Sequence, residues 1–93
     1  MIIGIVTCTI SIPHANSLKD KRSVLRSLKD RAVGKMNVSV AEVGRQDMWK
    51  YAELAFVTVA AESETVQHRI SEISDYLRSD PRYNLMDLHT ELM

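Results

Sequence analysis

Alternation of apolar and polar side chains opens the chain. Between Ile2 and Ile12, Val6, Cys8, Ile10 and Ile12 share one parity, and Ile3, Ile5, Thr7, Thr9 and Ser11 the other, the period of two that predicts a strand. Pro13 ends it, because proline has no N–H to give to a ladder. Ser17 then reads as a helix N-cap, with Asp20 favoured at the positive helix end. The period lengthens to that of a helix, with Leu18, Leu25, Leu28 and Ala32 on one stripe, Val24 at its border and Gly34 as the expected stop. Asn37–Val43 alternates as a second strand. Ala52–Ala61 is almost continuously apolar, as a central strand buried on both faces would be. Ser63 is expected to cap a second helix carrying Val66, Ile70, Ile73 and Leu77, which Asp80–Pro81 ends. Tyr83–Leu92 alternates again, with Met86, Leu88 and Leu92 opposite Asp87, His89 and Glu91.

The order β-α-β-β-α-β over residues 1–93 predicts a single α+β domain of the ferredoxin-like kind. Its four-stranded antiparallel sheet has both helices on one face, and right-handed crossovers give strand order 4-1-3-2.

Composition adds little until charge is placed along the chain. The 93 residues are 45% hydrophobic and 26% charged, with twelve basic and twelve acidic side chains, which are ordinary globular proportions. Lys19–Lys35 nevertheless holds seven basic and two acidic residues, and Met36–Met93 holds five and ten. The first helix is thus the positive element of a neutral molecule. At 100° per residue, Arg22, Arg26 and Lys29 cluster on one side with Lys19 a step further round, spaced about one turn apart, close to the distance between successive backbone phosphates. Lys21 falls in the apolar sector, so its stem is expected to pack there while its ammonium reaches out to water. The apolar start Met1–Ile12 is too short and too polar for a membrane span and lacks a signal-peptide layout. A single cysteine, Cys8, suits a reducing compartment, and the cytoplasm is the expected location.

The expected topology brings three connections to one end of the domain: Pro13–Ser17 with His14 and Asn16, Gly44–Lys50 with Arg45, Gln46, Trp49 and Lys50, and Asp80–Asn84 with Arg82 and Tyr83. The first helix begins at the same end, whereas the opposite end holds Glu62 and Glu64. Trp49 admits two readings. It stacks on an unpaired base while Arg45 and Lys50 hold phosphate, or it folds back as a lid on the core.

Chemistry for catalysis is missing from the pattern. There is no glycine-rich phosphate loop, nucleophile elbow or cysteine–histidine cluster. Asp87-x-His89-x-Glu91 places three ligand types on one strand face, but the outer two stand about 13 Å apart, too far to enclose one ion. No cofactor, metal or catalytic residue is assigned. Acylphosphatase chemistry is set aside because Pro13-His14-Ala15-Asn16-Ser17 lacks the glycine and arginine of that cradle.

Two stretches resemble the small bacterial YlxP family: Ile12-Pro13 followed by Ser17-Leu18-Lys19-Asp20-Lys21-Arg22-Ser23-Val24, and Asn37-Val38-Ser39-Val40-Ala41-Glu42-Val43 with Gln46-Asp47 and Trp49 after it. The resemblance extends over the whole chain. It implies a ferredoxin-like fold, a bacterial cytoplasmic setting and genes neighbouring those of translation initiation and ribosome maturation factors. It supplies no catalytic residues.

The expected function is a non-catalytic binding module for RNA or a ribosomal surface, using Lys19, Arg22, Arg26, Lys29, Arg45, Trp49 and Lys50. The alternative is a protein-interaction or homodimerisation module. It would use the open sheet face, with Ile3, Ile5 and Leu85, or strand two as an unpaired edge.

Overall fold

The computed structural model describes residues 1–93. Its elements are β1 (Ile2–Ser11), α1 (Leu18–Lys35), β2 (Ser39–Gly44), β3 (Tyr51–Ala60), α2 (Ser63–Leu77) and β4 (Asn84–Leu92). Every strand pairing is antiparallel, and the sheet runs β2-β3-β1-β4, which is the expected order read from its other side. The fold is α+β, with two helices and one open four-stranded sheet.

One face of the sheet makes the core. Val6, Cys8 and Ile10 of β1 lie beside Phe56, Leu54 and Ala52 of β3, and these six pack with Leu25, Leu28 and Ala32 of α1 and Ile73 and Leu77 of α2 in one buried cluster. Gly4 permits the close approach of α2, since a Cβ there would stand 2.5 Å from Val66 Cγ1. No helix is long and apolar enough to cross a membrane.

Local chemistry sets most of the boundaries. Ser17 caps α1 as expected: the Asp20 N–H donates to Ser17 Oγ at 3.1 Å, and the Asn16 N–H donates to Asp20 Oδ2 at 3.0 Å. This reciprocal arrangement satisfies two donors at the helix start.

Four expectations need correction. Gly34 does not stop α1, which runs on to Lys35. Met36 ends it instead, in extended conformation, with its N–H donating to Ala32 O while its side chain enters the core. Ser63 is the first helical residue of α2 and not its cap. Glu62 holds the cap position without a side-chain bond. β3 is covered on one face only. Val57 and Val59 are exposed because both helices lie on the other side, so the continuous apolar run reflects an apolar open face. Finally, a bulge shifts the β1–β4 register between Thr9 and Ile10, so that Leu85 pairs with Ile10 on the helix side. Leu85 therefore packs against the core and does not join Ile3 and Ile5, while Met86, at the bulge, is exposed.

Ser11 is flanked by Tyr51 on one side and Asn84 on the other. The connections β1–α1, β2–β3 and α2–β4 thus emerge at one end of the sheet, where α1 starts.

Candidate nucleic-acid interface

The outward side of α1 carries the unpaired charge. Lys19, Arg22 and Arg26 are exposed and Lys29 is partly buried, and none of the four takes part in an ion pair. Arg22, Arg26 and Lys29 line a shallow groove between α1 and the edge strand β2, with Leu25, Asp30 and Glu42 as its other walls.

The inward side of the same helix carries a charge that is fully paired. Lys21 is 1% exposed, contrary to the expectation that its ammonium reaches water. Nζ donates to Arg45 O and Met48 O, both at 2.7 Å, and stands 2.8 Å from Glu42 Oε2. Two of its donors are taken by carbonyls, and the Glu42 carboxylate supplies the counter-charge. Burying a lysine costs several kcal/mol unless it is paired and hydrogen-bonded, and here two carbonyls and a carboxylate offset that cost. The sequence signal was available, as a lysine at i+3 from Leu18 and i−4 from Leu25. The acceptors were not visible, since they come from residues 21 to 27 positions further along the chain.

The β2–β3 connection is shaped around this ammonium. Arg45 has φ 57°, a left-handed conformation that a non-glycine residue adopts at a cost of about 1–3 kcal/mol. Its carbonyl accepts both the Met48 N–H at 3.1 Å and Lys21 Nζ, so the buried lysine helps hold the strained turn. Arg45 Nε donates to Glu53 Oε1 at 3.1 Å, and its guanidinium lies 5.9 Å from the Tyr51 ring centroid.

Trp49 is 52% exposed, which excludes the lid reading because a lid over the core would be covered. Lys50 is turned inward to the neighbouring connection, and its Nζ donates to Pro13 O and Ala15 O at 2.8 Å each. The Ile12 N–H closes the same junction on Lys50 O at 2.7 Å. Arg82 is also committed. Its guanidinium grips the Asp80 carboxylate, with Nη2–Oδ2 at 2.6 Å, and its N–H donates to Asp80 Oδ1. That arginine holds the Asp80 carboxyl below its ordinary pKa. The seven sequence-selected residues therefore divide into two groups. Lys19, Arg22, Arg26, Lys29 and Trp49 face outward without ion-pair partners, while Arg45 and Lys50 brace the loops next to them.

Burial shifts other titratable groups. Cys8 is buried, and desolvation pushes its thiol up to about 11, leaving it protonated near neutrality. Burial likewise raises Tyr83. His89 Nε2 lies 3.1 Å from Asp87 Oδ2, and no group of three or more histidine, cysteine or carboxylate side chains converges on one point.

A two-helix, four-stranded α+β domain with an unneutralised cationic helix is the class this geometry defines. Residues 3–90 match the family described as "Protein of unknown function (DUF503)", and the chain belongs to that family. It is 30% identical over 90 residues to the "Uncharacterized protein YlxP" of Bacillus subtilis (strain 168), an alignment covering 97% of this chain and 98% of that protein.

Proposed function

We propose that this protein is a non-catalytic cytoplasmic module with a ferredoxin-like fold that docks on RNA, free or at a ribosomal surface, through the outward side of α1. The observation that carries this reading is the division among the cations. Lys21, Arg45, Lys50 and Arg82 are engaged by partners within the molecule, Lys21 alone of them being buried, whereas Lys19, Arg22, Arg26 and Lys29 are left without ion-pair partners on one helix side. Unpaired cations spaced a turn apart are suited to neutralising successive phosphates and releasing counterions. Trp49, at the same end of the domain as the start of α1, offers a face on which an unpaired base can stack.

Fluorescence anisotropy with a labelled single-stranded RNA tests the reading. Affinity should fall linearly in log–log form with salt, and Arg22→Glu/Arg26→Glu should abolish binding while the circular dichroism spectrum is retained. Unchanged affinity in that double mutant would overturn the proposal.

A second reading has its own observation. On the open sheet face, Val57 and Val59 are exposed beside Ile5 and Ile3, an apolar patch of the kind that binds another protein.

A further inference from the structure

The two edges of the sheet are unlike. β2 has six residues, is interrupted by a bulge between Glu42 and Gly44, and has α1 packed against it, devices that blunt an edge against pairing. β4 has nine residues and carries none of these protections beyond its bulge near Leu85. Along Asp87–Leu92 it is regular. α2 packs on β1 and β3, which leaves Thr90 and Leu92 exposed on the helix side of the sheet, Leu92 at 45%.

The direction of each β4 backbone group follows from one observed pair. Ile3 and Met93 exchange both backbone hydrogen bonds, at 3.0 and 2.9 Å. In an antiparallel ladder bonded and non-bonded pairs alternate, so the backbone groups of Glu91, His89 and Asp87 also face β1. Those of Leu88, Thr90 and Leu92 point away from the sheet. The Leu88 N–H agrees, since it donates to its neighbour's Asp87 Oδ1 at 3.0 Å and not to β1.

We propose that this edge is the seat of a second copy of the chain, with the two β4 strands paired antiparallel about a two-fold axis at Thr90, so that two sheets join into one of eight strands. In that register Thr90 exchanges both hydrogen bonds with the partner's Thr90. Leu88 and Leu92 exchange theirs with the partner's Leu92 and the partner's Leu88. All the outward groups of the regular segment are then used, and the bulge lies outside the contact. The helix-side leucines become cross-strand neighbours. On the open face His89 stands opposite the partner's Glu91 and Glu91 opposite the partner's His89, in the non-hydrogen-bonded positions where side chains approach most closely. A two-fold at His89 instead would set Asp87 against the partner's Glu91, two like charges. One at Leu88 would run the pairing into the bulge. The register is thus chosen by charge and by strand regularity together, and the contact is isologous, as closed dimers require. It is small, below about 1,200 Å² in total, and so reversible.

Sedimentation equilibrium at protein concentrations on the order of 100 µM, combined with amide hydrogen exchange, tests this. Dimer should be present, with the Thr90 and Leu92 amides protected more than tenfold relative to dilute protein. Thr90→Pro removes an outward N–H that the monomer does not use, so it should leave the circular dichroism spectrum intact and weaken association at least tenfold. A second route does not depend on proline being tolerated. His89→Glu should weaken the dimer, and His89→Glu combined with Glu91→His should restore it. A monomer at that concentration, a dimer whose Thr90 and Leu92 amides exchange freely, or a charge swap without rescue would overturn the proposal.

Discussion

Lys21 on α1 and Glu42 on the edge strand β2 are joined at 2.8 Å by a lysine ammonium that has almost no contact with water. The same ammonium closes the β2–β3 turn on two carbonyls. One side chain thus ties together a helix, a strand and a loop, and its removal leaves the Glu42 carboxylate without its counter-ion and Met48 O without its donor.

Lys21→Met keeps the stem and deletes the charge. Breaking one side of a buried ion pair costs about 3–5 kcal/mol, and the 21% exposure of the Glu42 side chain places the expected loss at the lower end, about 3 kcal/mol. Urea titration followed by circular dichroism measures it. A loss below about 1 kcal/mol would mean that the desolvation cost of the ammonium cancels its two hydrogen bonds and its ion pair.

Lys50 and Arg26 should respond in opposite ways. Lys50→Ala removes two hydrogen bonds to backbone carbonyls and should lower stability by about 1–3 kcal/mol, with the salt dependence of RNA binding unchanged. Arg26→Ala removes an exposed, unpaired cation. Stability should stay within about 0.5 kcal/mol, while the log–log salt slope for single-stranded RNA falls by about 0.7. Melting curves and anisotropy at several salt concentrations read both.

Gly4→Ala should destabilise by about 1–3 kcal/mol through overpacking, because the new methyl meets Val66 Cγ1 at 2.5 Å and Thr58 Cγ2 at 3.2 Å. The clash belongs to the pair. Combined with Val66→Ala, the loss should be smaller than the sum of the two single losses, which denaturant titrations of the three variants would show.

Alkaline pH should weaken the fold. The Cys8 thiol is raised from 9.0 to about 11 by burial, so the unfolded chain ionises first. The stability this thiol contributes is fully present below pH 9 and lost as pH rises to about 11, a change of about 2–3 kcal/mol over the window. Tyr76 and Tyr83 are shifted in the same direction by burial and extend the decline. Cys8→Ala should flatten the curve between pH 9 and 11. A thiol reagent should label Cys8 at pH 8 only as fast as the chain opens.

Legibility in the sequence followed the range of the interactions. The period-two and helical patterns place each element within a few residues, because burial on one sheet face repeats along the local chain: Val6, Cys8 and Ile10 in β1 and Leu25, Leu28 and Ala32 in α1 all enter the core. Ser17 capping Asp20 was readable for the same reason. The misreadings arose where distant residues decide. Met36 reaching into the core takes the end of α1 away from Gly34, and the bulge opposite Thr9 and Ile10 sends Leu85 to the other face. The cation stripe was legible because it belongs to one helix. That Arg45 and Lys50 are engaged while Arg22 and Arg26 are not depends on Glu53, Pro13 and Ala15, which no local spacing reveals.

The buried lysine also constrains how the molecule can meet a ligand. Because the carbonyls that fix the Arg45–Met48 turn are gripped from within α1, the turn next to Trp49 cannot swing relative to the outer arginines without tearing out a desolvated charge. If the proposed ligand reaches across from helix to indole, it would encounter a preset spacing and would have to bend to match it, so that the entropy lost on docking would fall on the ligand and not on the protein.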